Sequence, residues 1–279
     1  MTMLSINTNV GALKAAQHSY SVNKSMETSM ERLASGKRIN GAADDAAGLA
    51  ISTRINYEIQ GLRQSIENAA DAQSMLNVAE GALDEVHTIL LRMREIAIQS
   101  ANDTVRDQDR DMLQTEVAQL EAEIQRISDD TTWSGLTLLA GGFSTGATFQ
   151  IGPGRSHQMA ISLSAIDATT TIANGGLNLS SHVSTQALAQ AYLANISNAI
   201  SIISSDRAKY GAFMNRLDHA ISNMSNVATN LSAAKGRITD ADYAAESANL
   251  ARTQVLQQAS MAMLSQANAS KQNILALFQ

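Results

Sequence analysis

The chain has 279 residues, of which 44% are hydrophobic but only 4% aromatic, with one tryptophan, one proline and no cysteine. A formal charge of −6 argues against a nucleic-acid partner, which requires a basic face. The missing cysteines exclude disulfides, thiolate metal sites and thiol nucleophiles. The apolar residues are mostly Ala, Leu, Ile, Val and Met, a set that favours helices in close contact over a thick layered core.

Residues 1–34 carry Ile6, Val10, Leu13, Tyr20, Met26, Met30 and Leu33 at helical spacing, with Asn23, Lys24, Glu27 and Glu31 on the opposite face. A helix with one such stripe is marginal alone and needs a partner. The first nine residues have no basic n-region and no apolar core, so no cleaved leader is expected there. No run of 18 apolar residues exists, so no membrane span is expected.

Ser35-Gly36 and Asn40-Gly41 are turn signals, and Asp44 and Asp45 suit a helix N-terminus. The best-patterned stretch follows. Ile55, Leu62, Ala69, Leu76, Leu83, Leu90 and Ala97 recur every seventh residue. Ile59 and Ile66 flank them first, then Ala72, Ala79, Val86 and Met93. That drift predicts a nearly straight helix, about 65 Å long at roughly 1.5 Å per residue, lying along another helix. Gly61 and Gly81 inside it each cost roughly 1 kcal/mol against Ala, as close-packing points or as tolerated blemishes.

A second helix carries Leu113, Val117, Leu120, Ile124 and Ile127 and closes at Asp129-Asp130-Thr131-Thr132. From Trp133 to Leu179 glycines divide short stretches. Thr148–Ile151 and Met159–Leu163 alternate with period two across Gly152-Pro153-Gly154, which predicts a β-hairpin. Helix resumes near Thr185 and runs to Ala234, with Lys235-Gly236-Arg237 as its expected stop. Its 4–3 series is Ile196, Ile200, Ile203, Arg207, Tyr210, Met214, Leu217, Ile221, Met224, Ala228 and Leu231, polar only at Arg207. Thr239–Gln279 is helical again, with a thin stripe of Leu250, Leu256, Met263, Ala267, Ile274, Leu277 and Phe278. The fold class is therefore mainly α: a long antiparallel helical bundle, or coiled-coil rod, with a small β-hairpin region. Its two ends are too weakly patterned to stand alone.

The segment Glu31–Ser52, with Ser35-Gly36-Lys37-Arg38-Ile39-Asn40-Gly41 and Ala42-Ala43-Asp44-Asp45-Ala46-Ala47-Gly48-Leu49, closely resembles the most diagnostic stretch of bacterial flagellin. Ser5–Asn9, Arg92–Asn102 and Ile238–Asn273 resemble the same family, in the same order. The middle lacks the large outer domains many flagellins carry. The resemblance implies a structural filament subunit for swimming motility, secreted through type III export and self-assembling outside the cell. It implies residues 1–44 with 238–279 as an inner core domain, and 45–140 with 177–237 as a helical rod domain. Residues 141–176 become a β-hairpin region of the rod, with no separate outer domain. Core assembly falls to Ile6, Val10, Leu13, Leu250, Leu256, Met263, Ile274, Leu277 and Phe278.

The implied partners are further copies of the chain, the export apparatus and an export chaperone, the filament cap, the hook–filament junction proteins and host innate immune receptors. No cofactor, nucleic acid or membrane is implied. Arg92, Ile96 and Glu116 match positions that contact the animal flagellin receptor. Arg38, Ile39, Asn40, Asp44, Asp45, Gly48 and Leu49 form the joint segment, which resembles the peptide read by plant receptors. The rival within the family is the hook–filament junction protein, which typically lacks the Ala46–Ile51 continuation. A soluble coiled-coil adaptor is the rival from another class.

No enzyme emerges. Asp107, Asp109 and Asp111 lack the Gly and Glu of a calcium loop, since Met112 and Ala118 stand there. The histidines at 18, 87, 157, 182 and 219 show no ligand spacing. Ser21-Val22-Asn23-Lys24 and Ser232-Ala233-Ala234-Lys235 match Ser-x-x-Lys as chance allows.

Overall fold

The computed structural model describes residues 8–143, 146–168, 176–179 and 182–276. The chain runs α1 (Val10–Ser35), α2 (Ala46–Ser100), α3 (Asp107–Asp130), β1 (Thr132–Trp133), β2 (Leu136–Thr137), β3 (Ala147–Gln150), β4 (Gln158–Ile161), α4 (Gln186–Thr239) and α5 (Tyr243–Ala276). It is mainly α, as expected. Packing divides it into two units, Met1–Ile59 with Thr229–Gln279, and Gln60–Ala228.

In the unit of residues 60–228 the heptad stripe is the core. Leu62, Ala69, Leu76, Leu83, Leu90 and Ala97 are all buried, as are Ala72, Ala79, Val86 and Met93 beside them. Each buried Leu contributes about 1.5–3 kcal/mol by leaving water. On α4 every seventh residue, Ile196, Ile203, Tyr210, Leu217 and Met224, is buried. The intervening Ile200, Met214 and Ile221 are half-buried, because only one of the two heptad series points straight inward. The helices are antiparallel: Gln73 bonds Asp218, and further along α2 Glu80 bonds Arg207.

The turn from α2 to α3 is held by one buried cation. Arg110 donates to the carbonyls of Ser100 (2.8 Å) and Asn102 (3.0 Å) and to the Asp107 carboxylate (2.7 Å). It thereby satisfies carbonyls that the end of α2 leaves unpaired. Tyr192 of α4 donates its hydroxyl to Glu121 of α3 at 2.9 Å. Burial raises the pKa of Glu121, and burial beside that carboxylate raises the pKa of Tyr192.

The expected hairpin is present, with Phe149 opposite Met159 and Ala147 opposite Ile161. Its turn explains one helix glycine. A Cβ on Gly61 would lie 2.9 Å from Pro153 Cβ, so Gly61 is a close-packing point, whereas Gly81 faces open space. A second small ladder, β1 with β2, was not anticipated. It turns through Ser134 (φ 51°) and Gly135 (φ 82°), the two positive φ angles of a tight hairpin loop.

In the other unit α1 begins after Asn9, whose side chain accepts the Ala12 N–H at 3.1 Å, and ends at Gly36 in the left-handed conformation (φ 68°). The stop expected at Lys235-Gly236-Arg237 does not occur. Helix α4 continues to Thr239, and the Asp240 N–H still bonds the Gly236 carbonyl at 2.8 Å. A side chain at 236 would sit 2.8 Å from the Asp240 carboxylate, so the glycine makes room without breaking the helix. Asp242 then caps α5, accepting the N–H groups of Ala244 and Ala245 at 2.9 and 3.1 Å.

Candidate assembly surface and joint

Helices α1 and α5 pack against each other in antiparallel fashion. Asn9 bonds the Ala267 carbonyl at 3.1 Å, and Arg32 lies 3.8 Å from Glu246. The seam between them mixes small and polar side chains with a few apolar ones. On α1 it is drawn from Ala15, Ser19, Val22, Met26 and Ser29, and on α5 from Glu246, Thr253, Gln257, Ser260 and Leu264. Among the described residues of these two helices whose burial is given, only Ser29 and Glu246 are buried.

The apolar residues predicted to form core contacts are not enclosed by this seam. Val10 and Leu13 are 54% and 61% exposed, with Tyr20 beside them at 73%. On α5, Leu256 and Met263 are 45% and 64% exposed, and Leu250 is half-buried. Val10, Leu13 and Tyr20 are thus left largely to solvent, whereas Leu256 and Met263 stand at the edge of the seam, beside Ala15 and His18, with much of each side chain still exposed. The sequence reading missed Val255, which is exposed beside Leu256 off the heptad series. Ile6, Leu277 and Phe278 lie outside the described residues, and Ile274 falls in the backbone of α5 near its end.

The joint is a second organised surface. Lys37 and Asp240 form an isolated antiparallel bridge. Around it the Arg38 N–H donates to Thr239 (2.7 Å), the Ala241 N–H donates to Gly36 (3.0 Å), and the Arg38 guanidinium reaches the Ile238 carbonyl (2.7 Å). Asn40 donates its side-chain amide to the Lys37 carbonyl at 3.3 Å. Asp44 accepts the N–H groups of Asn40 and Gly41 at 2.9 and 3.0 Å, and these bonds lower its pKa. Asp45 is the N-cap of α2, accepting the Gly48 N–H at 2.8 Å. Gly48 has no room for a side chain: a Cβ would meet the Asp45 carboxylate and lie 2.7 Å from Ile39 Cδ1. Ile39 is buried and Leu49 half-buried beneath this turn. The predicted joint residues thus come together in one knot.

Arg92 and Glu116 join α2 to α3 on the exposed side, with Arg92 nitrogens 3.0 and 2.8 Å from one Glu116 oxygen. Glu116, and then Glu95, raise the Arg92 pKa. Ile96 does not share that surface. It is fully buried, on the core side of α2. Among the described residues no three His, Cys, Asp or Glu converge on a metal position, and no helix is long and apolar enough to cross a membrane.

Long helices with buried heptad stripes, and a terminal helix pair that leaves apolar side chains exposed, define a protein of the helical-bundle class. The family description "Bacterial flagellin N-terminal helical region" matches residues 6–144, and "Bacterial flagellin C-terminal helical region" matches 193–278. The chain is 40% identical to a flagellin of Halalkalibacterium halodurans, over 98% of this chain and 99% of that one. It is 36% identical to a Bacillus subtilis flagellin with the same coverage. The crystal structure of Bacillus cereus flagellin matches 61% of this chain and 94% of its own, with a TM-score of 0.50 and 32% identity. The chain belongs to the bacterial flagellin family. It is a subunit of the extracellular flagellar filament and serves motility as a structural protein.

Proposed function

We propose that the chain polymerises through the exposed rows of α1 and α5, with residues 1–44 and 238–279 forming the inner core of the filament. Residues 45–140 and 177–237 then form the surrounding helical domain, with 141–176 its hairpin region and no separate outer domain. The observation that supports this reading is the exposure of Leu13 (61%) and Leu256 (45%), which the pairing of α1 with α5 leaves in water. Apolar rows left in water on both partners of a helix pair are surfaces awaiting further helices. Placing an aspartate at either position, as L13D or L256D, is expected to abolish filaments in electron micrographs while helix content holds. Filaments of normal yield from both variants overturn the reading.

The further partners are the export apparatus, a chaperone for the C-terminal segment, the filament cap and the hook–filament junction proteins. Host receptor contact is proposed at Arg92 and Glu116, with Ile96 supporting that face from the core. The joint residues Arg38, Ile39, Asn40, Asp44, Asp45, Gly48 and Leu49 are proposed as the peptide segment read by plant receptors. The absence of catalytic activity is part of the same proposal, since the site is an interaction surface. Assay of the isolated monomer against receptor-expressing cells, beside R92A and E116A, tests the receptor contact.

A further inference from the structure

We propose that Met263 is an oxidation site, and that its sulfoxide weakens association of the chain with further copies. The inference rests on the assembly surface described above. With no cysteine in the chain, the thioethers of its 12 methionines are its most readily oxidised groups. Met1 and Met3 lie outside the described residues, and Met26 and Met214 are half-buried. Met75, Met93, Met159 and Met224 are at most 6% exposed, whereas Met30, Met112, Met261 and Met263 are 53%, 73%, 57% and 64% exposed.

Position then separates Met263 from the other three. It stands one heptad from Leu256 on α5, at a shallow hollow shared with Ala15, His18 and Ala259. Met261 is turned about 200° away around the same helix, Met30 stands about 100° around α1 from Leu13, and Met112 is in the other unit. Only Met263 therefore lies in the apolar row of α5.

The chemistry needs a two-electron oxidant such as hydrogen peroxide. A sulfur lone pair attacks one peroxide oxygen, the O–O bond breaks and an S–O bond forms. The sulfur is oxidised to sulfoxide, and the peroxide is reduced and leaves as water. The product is a polar group that must shed its water whenever the row is covered. A thioether carries no such cost. Association and oxidation therefore oppose each other at one atom.

The test uses the full chain. Monomer and polymer are treated with hydrogen peroxide, mapped by peptide mass spectrometry, and assayed for the critical concentration of polymerisation. Met263 is expected to oxidise at least about tenfold faster than Met93 in the monomer, and about tenfold slower in polymer than in monomer. Treated monomer is expected to need roughly tenfold more protein to polymerise, with recovery after methionine sulfoxide reductases acting on both epimers. M263L should keep assembling after the same treatment, and untreated M263Q should imitate the oxidised chain. The proposal is overturned if M263L loses assembly as the wild type does, or if oxidised wild type assembles at an unchanged critical concentration. An untreated wild-type chain that never polymerises overturns the assembly reading and this inference with it.

Discussion

Arg207 of α4 grips Glu80 of α2 with two nitrogens, at 3.0 and 2.7 Å, while a third nitrogen reaches Asp84 at 2.8 Å. It is the one polar member of the α4 heptad series, and it sits at the rim, about a third exposed. Water screens such pairs to roughly 0.2–1 kcal/mol each. R207A is therefore expected to lower urea stability by about 1 kcal/mol. E80A should couple to it in a double-mutant cycle, because both changes break the same bonds. The coupling should shrink in high salt.

Leu83 is fully buried at the centre of the α2 stripe. L83A leaves a cavity and is expected to cost about 2–5 kcal/mol. Thermal or urea unfolding of the monomer measures it. L91A, on the exposed side of the same helix, is expected to cost far less.

At the joint, G48A is expected to destabilise locally rather than globally. The added methyl collides with the Asp45 carboxylate and Ile39, so either the cap or the buried isoleucine must move. Amide exchange at residues 38–49 should rise, with residues 76–97 unchanged. Equal protection at the joint in variant and wild type overturns the steric account.

Asp44 supplies the pH dependence. Its folded-state pKa is depressed, chiefly by the Asn40 and Gly41 N–H groups. Its stabilising contribution is therefore fully present above its ordinary value of 3.8, and is lost as pH falls through the lower folded value. NMR shifts of the Asn40 and Gly41 amides should move together in that acid range. In D44N they should not follow that titration.

The long helices were legible because burial on one side forces a seven-residue repeat, and Leu62 through Ala97 carry it without a fault. The β3–β4 hairpin was legible because Gly-Pro-Gly interrupts two alternating runs. The β1–β2 ladder was not, since two residues per strand are too few to show a period and Ser134-Gly135 alone gives only a turn. Gly236 misled because a glycine after cations reads as a stop, while here it accommodates the Asp240 carboxylate within a continuing helix. The joint was legible as a segment but not as a knot. Its bonds between Arg38 and Ile238 or Thr239 join residues two hundred positions apart. The apolar residues of α1 and α5 are visible in the sequence by their spacing, but no single sequence says which face of a helix its partner takes.

The Gln73–Asp218 bond spans 145 positions of sequence. Contacts that distant are slow to find, since most of the polypeptide must be available before they close. A strand of this protein emerging N-terminus first therefore cannot bury the middle of α2 against α4 until more than three-quarters of it has appeared. Late closure is built into the topology, and it leaves Leu76 and Leu83 waiting for that helix through roughly half of the time the molecule is being made.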